Sequence, residues 1–264
     1  MKKRIIWIIF ILCVFLIAGY FCKEYALITD FTNKNIPPCI RYPFGTDWMG
    51  RNLFFRTLRG ISISIVIGVI SASISTVIAI LFGTLSAFGN KEIDAMITWL
   101  IDFMIGLPHI LLLIVVSIAM GRNIKGVIFS ISLTHWTSLA RLIRSELLQL
   151  KTSTYIQVAE KLGKSKFYIF QKHMIPHILP QCITGWILLF PHTILHESSI
   201  TFLGFGLKSN QPAIGILLSE SMQYIVTGRW WLAVFPGCVL VFVVLLFYDI
   251  GKCLQQYYEQ KSGV

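Results

Sequence analysis

Two pairs of histidines at helical spacing, His173-x-x-x-His177 and His192-x-x-x-His196, carry the most evident capacity for chemistry in this 264-residue chain. Residues i and i+4 share one face of an α-helix, so each pair can offer two imidazoles to one metal ion. On a continuous helix the two pairs would stand about 28 Å apart, so one four-histidine centre requires a chain reversal at Pro180 or Pro191. Glu197 follows the second pair directly and Asp102 lies in a separate apolar stretch. A third motif, Leu162-Gly163-Lys164-Ser165, has the ending of a phosphate-binding loop, but Val158 stands where that loop needs its first glycine. Without the glycine and a preceding strand no cradle of N–H groups forms, and no ATP site or other cofactor site is expected in this chain. No Ser–His–Asp grouping or close carboxylate pair points to a hydrolase.

The elements that would position these residues are long apolar runs. Hydrophobic residues make up 55% of the chain and charged residues 13%, against about 25% charged in soluble domains. Runs near 5–22, 61–88, 97–120, 124–140, 182–198 and 230–250 each approach the roughly 20 apolar residues that cross a bilayer. The expected fold is therefore an all-α integral membrane protein with about six transmembrane helices. The net charge of +11 resides in short connections between the runs, which fits membrane topology better than a nucleic-acid surface. Met1-Lys2-Lys3-Arg4 before the first run also has the form of a signal peptide, but the run is long and no A-x-A-like site follows, so an uncleaved span is expected. Those basic residues place the N-terminus in the cytoplasm, and six spans return the C-terminus there. The six cysteines form no CxxC pair, so neither a disulfide framework nor a zinc site is expected.

Between the fourth and fifth runs, the 141–172 stretch has seven basic and two acidic residues. Ser153 or Thr152 can cap a short helix through Lys161–Leu162, with Gly163 at its C′ position. A second helix from Lys166 is expected to end at Pro176 and Pro180, making a helical hairpin over 153–180. Such a connector exceeds the usual 2–8 residues and reads as a docking element. The row Ser71, Ser75, Ala79, Gly83 and Ala87 makes a narrow stripe for close helix approach, within the chain or with another subunit. The 199–229 stretch is rich in glycine yet apolar, and is expected to fold back against the spans. Asp102, deep in a run, should face protein or water. His192, His196 and Glu197 are candidates to line a substrate path.

In order and spacing, three motifs resemble those of the inner-membrane permeases of binding-protein-dependent ABC importers, in their dipeptide/oligopeptide/nickel branch. Pro43-Phe44-Gly45-Thr46-Asp47-Trp48-Met49-Gly50-Arg51-Asn52 is similar to the branch's H-x-F-G-T-D-x-x-G-R-D stretch. Gln157-Val158-Ala159, with Gly163 and His173-Met174-Ile175-Pro176, is similar to the E-A-A-x3-G-x9-[IH]-x-[LI]-P signature. Glu197-Ser198-Ser199-Ile200-Thr201-Phe202-Leu203-Gly204-Phe205-Gly206 is similar to E-x-S-L-S-F-L-G-L-G, and Trp230-Trp231-Leu232 with Phe235-Pro236-Gly237 extends the likeness. Gln157 and Val158 depart from Glu and Ala, Asn52 departs from Asp, and Lys208-Ser209-Asn210-Gln211 is unusually polar.

The resemblance implies a type I importer permease in a bacterial cytoplasmic membrane. It implies an N-terminal helix and external segment over 1–57, a transmembrane domain over 58–252 and a cytoplasmic tail over 253–264. The coupling residues would be Gln157, Val158, Ala159, Glu160, Gly163, His173 and Pro176. The implied partners are a second homologous permease, two cytoplasmic ATPases that bind ATP–Mg, and an extracytoplasmic substrate-binding protein. The implied cargo is nickel, a metal chelate or small peptides. Two rivals remain from the residues alone: a membrane di-iron hydroxylase built on the paired histidines, and an ATPase-independent carrier using Asp102.

Overall fold

The computed structural model describes residues 2–208 and 211–262, so Ser209 and Asn210 of the polar loop and the last two residues lie outside it. Eleven α-helices account for the architecture among the described residues: α1 (Lys2–Phe21), α2 (Leu53–Phe88), α3 (Lys91–Gly106), α4 (His109–Ala119), α5 (Ile124–Thr134), α6 (Trp136–Lys151), α7 (Thr154–Lys161), α8 (Lys166–Ile169), α9 (Ile175–Phe202), α10 (Ile214–Ile225) and α11 (Trp231–Ser262). The β structure among those residues is one isolated bridge, Thr46 to Asn52.

α2 is the axis of the bundle. Asn52 opens it, its side chain accepting from the Phe54 N–H at 3.0 Å, and its 36 residues extend about 54 Å. The expected small-residue stripe lies inside this chain: Ser71, Ser75, Ala79, Gly83 and Ala87 are all buried. A Cβ on Gly83 would stand 2.9 Å from the Ala140 carbonyl oxygen and 3.0 Å from Ile143, so glycine lets α2 and α6 approach backbone to backbone. Gly83→Val is therefore expected to force these helices apart and cost about 1–3 kcal/mol, as overpacking does. A drop in the melting temperature of the detergent-purified protein would register it; an unchanged value would show that α6 yields freely.

The span count differs from expectation. Among the described residues, four helical stretches are long and apolar enough to cross a membrane, Lys3–Phe21, Leu53–Phe88, Phe167–Phe202 and Trp231–Tyr258, and α3 with α4, bent by 96°, makes a fifth if the pair is counted as one span. The bend falls at Leu107–Pro108, where proline lacks an N–H and disfavours helical backbone in the residue before it. The expected 124–140 span is divided at His135 into α5 and α6.

The second helix of the hairpin does not end at Pro176 or Pro180. A π turn over Phe170–Met174 widens the backbone, Pro176 falls in the first turn of α9, and Pro180 and Pro191 lie within α9. The wider turn relieves the clash between a proline ring and the preceding carbonyls that would otherwise stop the helix. α11 continues to Ser262, within the 253–264 stretch.

α1 packs against α2 and α11. A Cβ on Gly19 would meet Ser62 and the Leu58 carbonyl, and Arg4 makes two 2.7 Å bonds to the Asp249 carboxylate. The apolar 199–229 stretch folds back as expected, but as a helix. Ile214, Ile216 and Leu217 of α10 are buried, the first and last in the same core as Ile61, Phe190 and Trp231.

Candidate functional site

The hairpin is built as its local residues require. α7 ends with Gly163 at φ +76°. The Gly163 N–H donates to the Glu160 carbonyl (3.0 Å) and the Lys164 N–H to the Ala159 carbonyl (3.2 Å), the paired bonds of a Schellman motif. Ser153 precedes the helix, but its hydroxyl donates back to the Leu150 carbonyl at 2.6 Å and does not cap α7. One residue anchors the helix: Ile156 is fully buried, in a core shared with Ile143, Leu147, Ile169 and Met174. Around it Tyr155, Val158 and Leu162 are exposed, and Leu162 retains 73% of its surface. Gln157 and Glu160 are exposed, Ala159 is half-buried, and Pro176 is exposed. His173 is half-buried with its ring 6.3 Å from Tyr155 and 6.1 Å from Tyr168, bridging α7 and α8.

A cavity of about 500 Å³ opens among α3, α4, α6 and α9. Its wall is mostly aliphatic, with His109, His135, His192 and His196 as the strongest ligand groups and Thr134, Thr137 and Ser138 beside them. Of the sequence candidates, His192 and His196 line this cavity. Glu197 is not among the lining residues: it is fully buried and accepts from Ser64 (2.7 Å), Thr201 (3.1 Å) and Ser198 (3.3 Å), which ties α9 to α2. The four-histidine centre is not assembled, since His173 and His177 take no part in the cavity. His109 and His135 occupy those places, one from each break in the helical spans. Asp102 is ion-paired, its Oδ1 accepting from Arg141 at 2.6 Å.

The first motif closes an ionic knot between distant parts of the chain. Thr46 Oγ1 accepts from the Ile36 N–H (2.8 Å) and donates to the Asn33 carbonyl (2.6 Å). Gly45 and Gly50 both have positive φ, and a Cβ on Gly50 would lie 1.7 Å from the Asp30 carbonyl oxygen, so no other residue fits there. Asp30 accepts from Thr32 and Asn33, and these bonds hold its carboxyl below the usual carboxylate range. Asp47 accepts from the Met49 and Arg51 N–H groups, from Arg51 Nε at 2.6 Å and from Arg56 Nη1 at 2.5 Å. Glu220 of α10 receives both guanidiniums as well, at 2.8 Å from Arg56 and 3.2 Å from Arg51. Phe44 stacks on Phe235 of α11 with ring centres 4.5 Å apart.

Residues 64–262 match the family model described as the binding-protein-dependent transport system inner membrane component. The chain belongs to this family. Among its relatives, it is 29% identical to the dipeptide transport system permease protein DppC of Bacillus subtilis (strain 168) over 97% of this chain and 80% of the relative. It is 26% identical to the oligopeptide transport system permease protein OppC of the same strain, over 97% of this chain and 84% of the relative. It is 28% identical to the probable D,D-dipeptide transport system permease protein DdpC of Escherichia coli (strain K12), over 89% and 78%. The fold is that of an inward-facing crystal form of the MetNI methionine ABC transporter, with a TM-score of 0.64, 17% identity, and coverage of 77% of this chain and 97% of that one.

This permease is thus an integral inner-membrane component of an ABC importer of the peptide branch, with the type I permease fold. It is a transport subunit and not an enzyme, and ATP hydrolysis lies in partner subunits. Membership also implies a partnering permease and a substrate-binding protein. These findings remove the hydroxylase and the ATPase-independent carrier.

Proposed function

We propose that this permease forms half of a transmembrane pathway for small peptides or for a peptide-sized metal chelate, paired with a second homologous permease. In this reading α5 and α6 together make a sixth crossing, so both termini and the 153–180 hairpin face the cytoplasm, and the chain itself binds no ATP–Mg. The exposed apolar face of α7 carries the proposal. Tyr155, Val158 and Leu162 are held outward by the single buried anchor Ile156, and such a patch beside a rigid turn suits a groove in another protein. α7 would therefore be the coupling helix of an ATPase contact. Gln157, Val158 and Glu160 would meet the ATPase, Ala159 would allow close approach, Gly163 would make the turn, and His173 and Pro176 would link the hairpin to α9. The substrate reading draws on the names of the relatives and on a cavity large enough for a small ligand. Nickel as a free ion would use the same route.

Affinity purification from native membranes in mild detergent tests the assembly. The expected result is recovery of a second permease and of ATPase subunits with this chain. Recovery of the chain alone, in a form stable without partners, would sink the proposal.

A further inference from the structure

We propose that His109, His135 and His196 form a binding site for one divalent transition-metal ion inside the cavity, with a fourth coordination position open to the cavity. The site deepens the pathway reading above, which supplies its location on a route across the membrane.

Three helices that are remote in sequence bring these rings together. His109 starts α4 just after the 96° break, His135 is the residue that interrupts α5 and α6, and His196 lies on α9. Ring centres are 4.7 Å apart for His109 with His135, 4.7 Å for His109 with His196, and 5.0 Å for His135 with His196. One nitrogen from each falls within 4.8 Å of the others. Metal–nitrogen bonds of about 2.1 Å in a tetrahedral site place ligand nitrogens about 3.4 Å apart. Small side-chain rotations of under about 1.5 Å therefore convert the observed cluster into a coordination shell.

His135 is prepared for this role. It is 8% exposed, and its Nδ1 lies 3.0 Å from the Ile131 carbonyl oxygen and 3.0 Å from Thr134 Oγ1. A carbonyl only accepts, so Nδ1 carries the proton and Nε2 holds the lone pair. That Nε2 is buried and has no hydrogen-bond partner among the described residues. A buried acceptor without a partner costs free energy, and a metal ion would satisfy it; a carbonyl behind the ring is the usual second support for a ligating histidine. Three imidazoles without a carboxylate suit nickel, zinc, cobalt or copper and not magnesium or calcium. Three protein ligands with one open position let the ion exchange donors with a moving ligand or water. His192, one turn before His196, lines the same cavity and offers a next donor.

The test is equilibrium binding of nickel or zinc ions to the full-length permease, purified with a histidine-free tag. The measurement is repeated for His109→Gln, His135→Gln and His196→Gln, and for His173→Gln/His177→Gln as a control. The expected result is one ion per wild-type chain. Each single variant should weaken binding by more than about 100-fold, beyond the roughly 10–100-fold that the loss of an outer partner causes. The double control should leave binding unchanged, and all variants should keep the wild-type elution profile and helical signal. Absence of stoichiometric binding by folded wild-type protein overturns the site, as does binding that follows His173 and His177. Co-purified ATPase without metal binding would sink the site and spare the importer reading, whereas metal binding without any partner would do the reverse.

Discussion

Asp47→Ala is expected to abolish recovery of folded protein, or to lower its melting point more than any other single change in the 43–52 motif. Asp47 is 3% exposed and Arg56 2%, and the carboxylate binds both Arg51 and Arg56. Its removal leaves two guanidiniums facing Glu220 alone, and also strips an acceptor from the Met49 and Arg51 N–H groups. Removing one member of a buried ion pair costs about 3–5 kcal/mol, a large share of the roughly 5–15 kcal/mol that holds a folded chain. The effect comes from stranded charge, so a second substitution can undo part of it. Asp47→Asn with Arg56→Met, which removes both charges of the closest pair, should recover a portion of the lost stability in the same melting assay. If Asp47→Ala melts within a degree or two of wild type, the knot is not what holds the 30–52 segment to α2 and α10.

This knot also marks where sequence reading ends. The motif from Pro43 to Asn52 is visible as a string. The string does not say that its aspartate is completed by Glu220, 169 residues from Arg51, because that pairing depends on how α10 folds back against α2. The histidines repeat the lesson. Helical spacing finds His192 and His196 on one face, since that relation is local. It cannot assemble His196 with His109 and His135, which meet only because helices break at Leu107–Pro108 and at His135 beside the same cavity. Pro108 signals the first break; nothing at His135 signals the second, where neither proline nor glycine is present. At Pro176 the local rule misleads, because a single π turn absorbs the clash that proline normally resolves by ending a helix. Gly163 is read correctly from sequence because a C′ glycine acts through its own backbone alone.

That independence makes Gly163 the sharpest probe of coupling. Gly163→Val is expected to leave the permease inserted and folded while uncoupling ATP hydrolysis from uptake. A Cβ at this position would meet no atom of the described residues within 4 Å, so the expected effect is conformational. At φ +76° an L-residue pays roughly 1–2 kcal/mol, and a β-branched side chain suffers most. The strain is relieved by giving up the Lys164 N–H bond to the Ala159 carbonyl, which frees α7 to swing about Ile156 relative to α8. The spans lie outside this turn and should keep their packing. Side chain by side chain the outcome follows φ tolerance: Asn, which enters this region readily, should restore near wild-type coupling, Ala should be intermediate, and Val worst. The measurement is substrate-stimulated ATPase activity and uptake by the assembled importer in proteoliposomes, with assembly checked by co-purification. Full uptake in Gly163→Val would show that the turn's shape is not what transmits ATPase motion. Equal loss in Val and Asn would point instead to contact made by the glycine surface itself.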